Sequence, residues 1–212
     1  SGQARGAFCA VCLMALAGIN MRSSAGYVTD GTGQTYLLGD DSYPVTRGGQ
    51  TFGYVAGSPG PGGAGGNVRD RSTSIGPELA GLHFTFGTPL DLKIDLPASG
   101  EYEIHLGLGD TNNLGNSVTY IYDDTTLLAT VDASMTAANQ YGDATEVMHS
   151  SAANWVANEL PVTVTFSTTI MRIVTDNNGT FGYINHIAYE ATGGGGGPSG
   201  IVPRVMHHRR MM

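Results

Sequence analysis

Residues 90–110 read LDLKIDLPASGEYEIHLGLGD, and the spacing of their apolar side chains decides the fold. Leu90, Leu92, Ile94 and Leu96 alternate with Asp91, Lys93 and Asp95. After Pro97-Ala98-Ser99-Gly100, Tyr102, Ile104, Leu106 and Leu108 resume the same period. A period of two residues places one set of side chains on each face of an extended chain, so both runs are predicted strands with one face in a core and the other in water. The short Pro/Gly link predicts a β-hairpin, or two adjacent antiparallel strands.

The same signal recurs downstream. SVTYIYDD (117–124) and TTLLATVD (125–132) flank a turn at Asp123-Asp124; LPVTVTF (160–166) alternates Leu160, Val162, Val164 and Phe166; and IMRIVTDNNGTFGYINHIAYE (170–190) holds two strands around Asp176-Asn177-Asn178-Gly179. Upstream, Gln34–Leu38 and a segment near Thr51–Val55 read as strands. AGSPGPGGAGG (56–66) is a Gly/Pro loop with neither the Lys-Ser/Thr nor the strand-to-helix frame of a phosphate cradle. Residues 133–159 break the alternation and form an excursion with room for one helical turn. Eight or nine short strands with turn signals every ten to fifteen residues predict an all-β, antiparallel jelly-roll β-sandwich over residues 30–192.

The two ends differ from this body. AFCAVCLMALAGI (7–19) is apolar for thirteen positions, too short to span a bilayer and of the length of a secretory-signal core, with Arg5 ahead of it. Residues 1–29 read as an apolar N-terminal segment, a short helix or arm; the preferred form of 7–19 is a short apolar helix that packs on the body or on a neighbouring subunit, with Phe8, Leu13 and Leu16 as expected assembly contacts. GGGGGPSG (193–200) is a linker to IVPRVMHHRRMM, an extended arm (193–212) in which Ile201, Val202, Arg204, Arg209 and Arg210 are the predicted assembly contacts.

Charge follows the same division. All eighteen acids lie between Asp30 and Glu190, where the bases are only Arg47, Arg69, Arg71, Lys93 and Arg172; the ends carry Arg and no acid. A body this acidic argues against nucleic acid as a partner, because neutralising phosphates needs clustered Lys and Arg. With 32 glycines and 13% charged residues, the surface is solvated largely by Ser, Thr, Asn and backbone, a composition of extracellular or virion proteins. Cys9 and Cys12 are the two cysteines. Without a βαβ context or a second ligand pair they read as small buried side chains, with an inter-chain disulfide as the alternative.

Three stretches carry a family resemblance. DLKIDLPASGEYEIHLGLGD (91–110), SVTYIYDDTTLLATV and the closing strand FGYINHIAYE (181–190) resemble the galactose-binding-like jelly rolls, the group that includes malectin-like domains and many carbohydrate-binding modules. The likeness covers about residues 80–190. A fourth stretch, GYV…NVRDRSTSIGPELAGLHF (53–84), is similar to the version of this module seen in bacteriophage virion proteins and beside some secreted polysaccharide esterases. No hydrolase accompanies it here, and the Gly/Pro loop departs from the esterase-linked pattern. The resemblance implies a binding or assembly module that needs no cofactor.

Candidate site residues follow from the chemistry of sugars, which stack an apolar ring face on an exposed aromatic and bind hydroxyls at its rim. Trp155, Tyr141 and Tyr54 are candidate platforms, and Arg69, Asp70 and Arg71 could clamp hydroxyls through charge-assisted bonds. The alternatives are a core tryptophan, the commoner place for a lone Trp in a sandwich, and an ion pair that pins a loop. Asp110, Asn112, Asp123, Asp124, Asp176 and Asn177 offer oxygen ligands in turns but match no calcium loop, and the histidines His83, His105, His149, His186, His207 and His208 show no zinc spacing. Asn178-Gly179-Thr180 matches a glycosylation sequon. No Gly-x-Ser-x-Gly elbow occurs, so the chain is expected to be non-enzymatic. The leading expectation is a structural subunit at the surface of a bacteriophage particle, a capsid decoration or tail-associated protein that self-associates or binds other virion subunits. The second is a carbohydrate-binding module attaching to surface polysaccharide, secreted or displayed on a cell.

Overall fold

The computed structural model describes residues 17–22, 34–57, 59–60, 67–71, 77–177 and 181–192. The assembly contacts expected at Phe8, Leu13, Leu16, Ile201, Val202, Arg204, Arg209 and Arg210, the two cysteines and the sequon lie outside the described residues.

Two sheets face each other. The first runs β12 (Met148–His149), β11 (Gln140–Gly142), β8 (Gly100–Asp110), β16 (His186–Ala191), β1 (Ala17–Arg22) and β2 (Gln34–Leu38), with β13 (Val162–Phe166) also paired to β8. The second runs β10 (Thr126–Ser134), β9 (Asn116–Asp123), β14 (Ile170–Asp176), β7 (Leu90–Asp95), β4 (Gln50–Ala56) and β3 (Val45–Arg47). A smaller sheet of β15 (Gly182–Ile184), β6 (Gly81–Thr85) and β5 (Val68–Asp70) lies beside them. The helices are short: α1 (Pro77–Ala80) and α2 (Ala152–Asn158), and among the described residues no helix is long and apolar enough to cross a membrane. Among the described residues, all pairings are antiparallel except β1 with β2 and a single bridge between Ser42 and Tyr54. This is the expected all-β jelly-roll sandwich.

The stretch that decides the fold does so differently from the expectation. Its two runs are β7 and β8, and they do not pair: β7 bonds to β14 and β4, β8 to β16, β13 and β11. Pro97–Gly100 is therefore an arch from one sheet to the other. Leu90, Leu92 and Ile94 meet Tyr102, Ile104 and Leu106 across the core instead of along a ladder. The Leu96 amide donates to Thr169 O at 2.8 Å, the Tyr102 hydroxyl donates to Ala98 O at 2.8 Å, and Gly100 has φ +146°, which disfavours a side chain. Hairpin and arch share the same alternation, so only the partners distinguish them.

Residues 17–22 are also corrected. They form a strand between β16 (Ile19↔Ile187) and β2 (Ile19↔Thr35), not the end of an apolar helix, and Ile19 and Met21 alternate into the core. β9 buries its more polar face. Ser117, Thr119 and Asp123 point inward with Ile121, while Val118, Tyr120 and Tyr122 point outward. The inward hydroxyls are satisfied: Thr119 Oγ1 bonds Thr175 Oγ1 at 3.1 Å, and Ser117 Oγ donates to Tyr183 O at 3.1 Å.

Asn185 joins the layers. Its amide donates to Gly107 O, its carbonyl accepts from Met21, its Oδ1 accepts from the Gly109 amide at 2.9 Å and its Nδ2 donates to Gly81 O at 3.0 Å. A Cβ on Gly109 would lie 2.2 Å from Gln140 O, so this close approach of strands requires glycine.

Candidate functional site

The sequence-chosen residues separate into a buried corner and an exposed remainder. Ser151 caps α2, its Oγ accepting from the Asn154 amide, and the helix turns Trp155 inward. Trp155 is 3% exposed, packed with Leu79, Tyr141 and Ala152. Its Nε1 lies 3.2 Å from both Leu106 O and Gly142 O, and its ring meets His186 edge-on. Tyr141 is fully buried with its hydroxyl 3.2 Å from Thr111 Oγ1. Tyr54 lies in the main core, its hydroxyl 2.7 Å from His83 Nδ1. None of these three rings offers a face to a ligand. Trp155 and Tyr141 pack together in one buried cluster and Tyr54 in the main core, so each ring completes an apolar layer.

The Arg69-Asp70-Arg71 cluster divides. Arg71 forms a bidentate pair with fully buried Asp110, at 2.8 and 2.6 Å, and Asp110 also accepts from the Asn112 amide and Asn113 Nδ2. It pins the segment after β5 to the end of β8, a loop-pinning role. Asp70 is exposed, and the Arg69 guanidinium lies 5.1 Å from the Phe84 ring centroid.

Arg69 marks an aromatic ledge that sequence reasoning missed. Phe84 on β6 and Tyr183 on β15 are register partners, and Phe86 and Phe181 follow on the same face by alternation. Phe86 and Phe181 are 5.1 Å apart between centroids at 36°, Phe84 stands edge-on to Phe181 at 5.8 Å, and Phe181 stacks on Tyr183 at 6.1 Å. Tyr183 is buried and donates to Leu114 O at 3.2 Å; burial raises its phenol pKa, so the hydroxyl stays a donor. Phe86 is 69% exposed, and Leu114 lies open at 52%. Beside Phe86 is a hollow of about 230 Å³ lined by Gly57, Pro59, Asn67, Thr85, Thr88 and Leu90. It is smaller than an enclosing ligand pocket, about 300–1,000 Å³, and works as a polar lip to the ledge. The available signal was Phe84-x-Phe86 and Phe181-x-Tyr183, two alternating aromatic pairs ending at turns.

This corner and ledge belong to a fold shared with known proteins. The sequence matches no protein-family profile, and no curated protein is similar to it. Among solved structures, the chain resembles a calcium-binding mutant of Bacteroides uniformis beta-glucuronidase 2, with a TM-score of 0.50 and 16% identity over 83% of this chain and 18% of that one. It is also similar to a carbohydrate-binding module of Cellvibrio mixtus lichenase 5A in complex with cellotriose (TM-score 0.28, 18% identity, 53% of this chain and 71% of that one). A third is the C-terminal CBM6 module of LamC, a marine laminarinase from Zobellia galactanivorans (0.34, 18%, 58% and 87%). The chain thus spans under a fifth of the glucuronidase's length, and likeness at these identities speaks to the sandwich fold and leaves the ligand open.

Proposed function

We propose that this chain is a non-catalytic carbohydrate-binding module that holds a neutral glycan on the ledge of Phe86 and Phe181. One observation carries the reading: Phe86, a large ring on a soluble sandwich, is 69% exposed beside a polar-lipped hollow. An exposed ring supported from behind by a second ring is the surface on which a pyranose face stacks, with Asn67 and Thr88 within the adjoining lip as hydroxyl partners. The acid excess of the body disfavours carboxylated or sulfated glycans, which would be repelled. Such a module acts at a cell or particle surface or in a secreted protein. The virion role expected from the sequence rested on the likeness of residues 53–84 and on terminal arms that lie outside the described residues; no neighbour reported above is a virion protein, and the role has no support.

Affinity electrophoresis of the full chain through gels containing neutral polysaccharides tests the reading. Retardation by at least one polymer is expected, and Phe86→Ala should weaken it at least tenfold, about 1.4 kcal/mol, without altering the thermal midpoint by more than a degree or two. Equal retardation of the parent and the variant would sink the ledge as the binding surface.

A further inference from the structure

On the outward face of the first sheet, β8 carries Glu103 and His105 two residues apart, and β16 places Glu190 directly opposite Glu103. One ligand atom from each of the three lies within 4.8 Å of the others, and all three residues are half-buried. Like charges directly opposed across a ladder repel, and neither Glu103 nor Glu190 meets a cationic side chain in any ion pair among the described residues. Ala188 stands opposite His105 and leaves its imidazole room.

The ring itself is set for coordination. Glu159, held at the C-terminus of α2 by the hydrogen bond its backbone N–H donates to Trp155 O, reaches His105 Nδ1 with both carboxylate oxygens at 3.0 Å. Nδ1–H is the donor in that contact, so in the neutral ring the lone pair is on Nε2. That nitrogen is shielded from solvent and finds no hydrogen-bond partner among the described residues, although buried polar atoms are rarely left so. A carboxylate on one ring nitrogen with the other free is the arrangement by which proteins orient a metal-binding histidine.

We propose that Glu103, His105 and Glu190 bind a divalent transition-metal cation, with Zn²⁺ the best match, and that Glu159 is the positioning residue. One imidazole nitrogen and two carboxylates make a zinc-type donor set; Ca²⁺ and Mg²⁺ take oxygen alone. Tetrahedral zinc ligands at about 2.1 Å stand roughly 3.4 Å apart, and rotation of the two half-exposed glutamates closes that distance. A fourth position stays open to water or a ligand group. The site is separate from the aromatic ledge and does not depend on it.

The test uses the full chain with Cys9→Ser, Cys12→Ser, His207→Ala and His208→Ala, so that the other soft ligands of the termini cannot contribute. After chelator treatment, titration calorimetry with ZnCl₂ is expected to show one Zn²⁺ per chain, and Co²⁺ to give the visible absorption of a four-coordinate site. Glu190→Gln and Glu103→Gln should each weaken Zn²⁺ at least tenfold, His105→Ala should abolish binding, and Glu159→Gln should weaken it about tenfold. Circular dichroism confirms that each variant is folded. The proposal is overturned if this background binds no zinc, if it binds Ca²⁺ as tightly as Zn²⁺, or if both folded glutamine variants bind like the parent.

Discussion

The corner beneath α2 and the ledge beside β5 are built from the same residue types, aromatic rings and arginine, and put them to opposite use. In the corner, Trp155 spends its N–H on backbone carbonyls, Arg71 is closed around Asp110, and Tyr141 is sealed. At the ledge, Arg69 lies over Phe84, and Phe86 presents most of its surface to water. The difference lies in what is behind each side chain. The corner is backed by β8, α1 and His186 and completes a core; the ledge rests on Leu82 and Met135 only through its inner rings, and its outermost member, Phe86, stands clear of that cluster. Residue type therefore says little here about function, and unsatisfied surface says more.

The largest expected effect breaks the comparison on its buried side by acid. His83 is enclosed, with Nε2 2.8 Å from Arg22 O, so that nitrogen donates and Nδ1 accepts from Tyr54. Burial pushes its pKa down to about 4, against the opposing pull of that backbone bond. His186 is pushed to about 3 by burial, with the nearby His105 and Arg22 charges adding to it. Both folded values lie below the unfolded 6.5, so the unfolded chain binds protons first as pH falls. Stability is full above about pH 6.5 and declines toward the folded values. At about 1.4 kcal/mol per unit and per group, each histidine removes on the order of 3 kcal/mol by pH 4, a large share of a domain's 5–15. Thermal midpoints should fall steeply between pH 6.5 and 4. A flat profile there would show that these rings are not held neutral.

Next in size is Trp155→Ala, which empties a buried site and should cost about 3–5 kcal/mol in urea unfolding. A loss under 1 kcal/mol would place the ring outside the core. Asp110→Ala follows, at about 3 kcal/mol, because it leaves Arg71 beside a buried void and frees the Asn112 amide and Asn113 side chain. Arg71→Met in the same background should recover part of that loss, since it removes the stranded charge.

How much of this was legible follows from which interactions are local. Alternation in 90–110, in Gln34–Leu38 and in Val162–Phe166 revealed strands, because burial of one face is written along the chain itself. Partnership was not: the link at Pro97–Gly100 reads as a hairpin until β14 and β16 claim its two arms. Which face of β9 is buried was likewise not written in its own residues, since Ser117 and Thr119 face inward where Tyr183 and Thr175 are there to bond them. The loop-pinning alternative for Arg71 was readable, but not its partner 39 residues away. Single aromatic residues in loops drew attention to Trp155, whereas the ledge depends on two alternating pairs brought together by β6 and β15.

The smallest expected effect sharpens the comparison on its exposed side. Phe86 follows directly on β6, with Gly87 after it at φ +140°, and among the rings of the described residues its ring touches Phe181 alone. Truncation to alanine removes little buried surface, so unfolding should change by no more than about 0.5 kcal/mol, roughly a tenth of the Trp155 loss. Phe181→Ala, half-buried between Phe86, Phe84 and Tyr183, should fall between the two. The order Trp155, Phe181, Phe86 in urea midpoints is what a ledge supported from below requires. If Phe86→Ala cost as much as Phe181→Ala, the outer ring would be part of the packing and no longer free to receive a sugar.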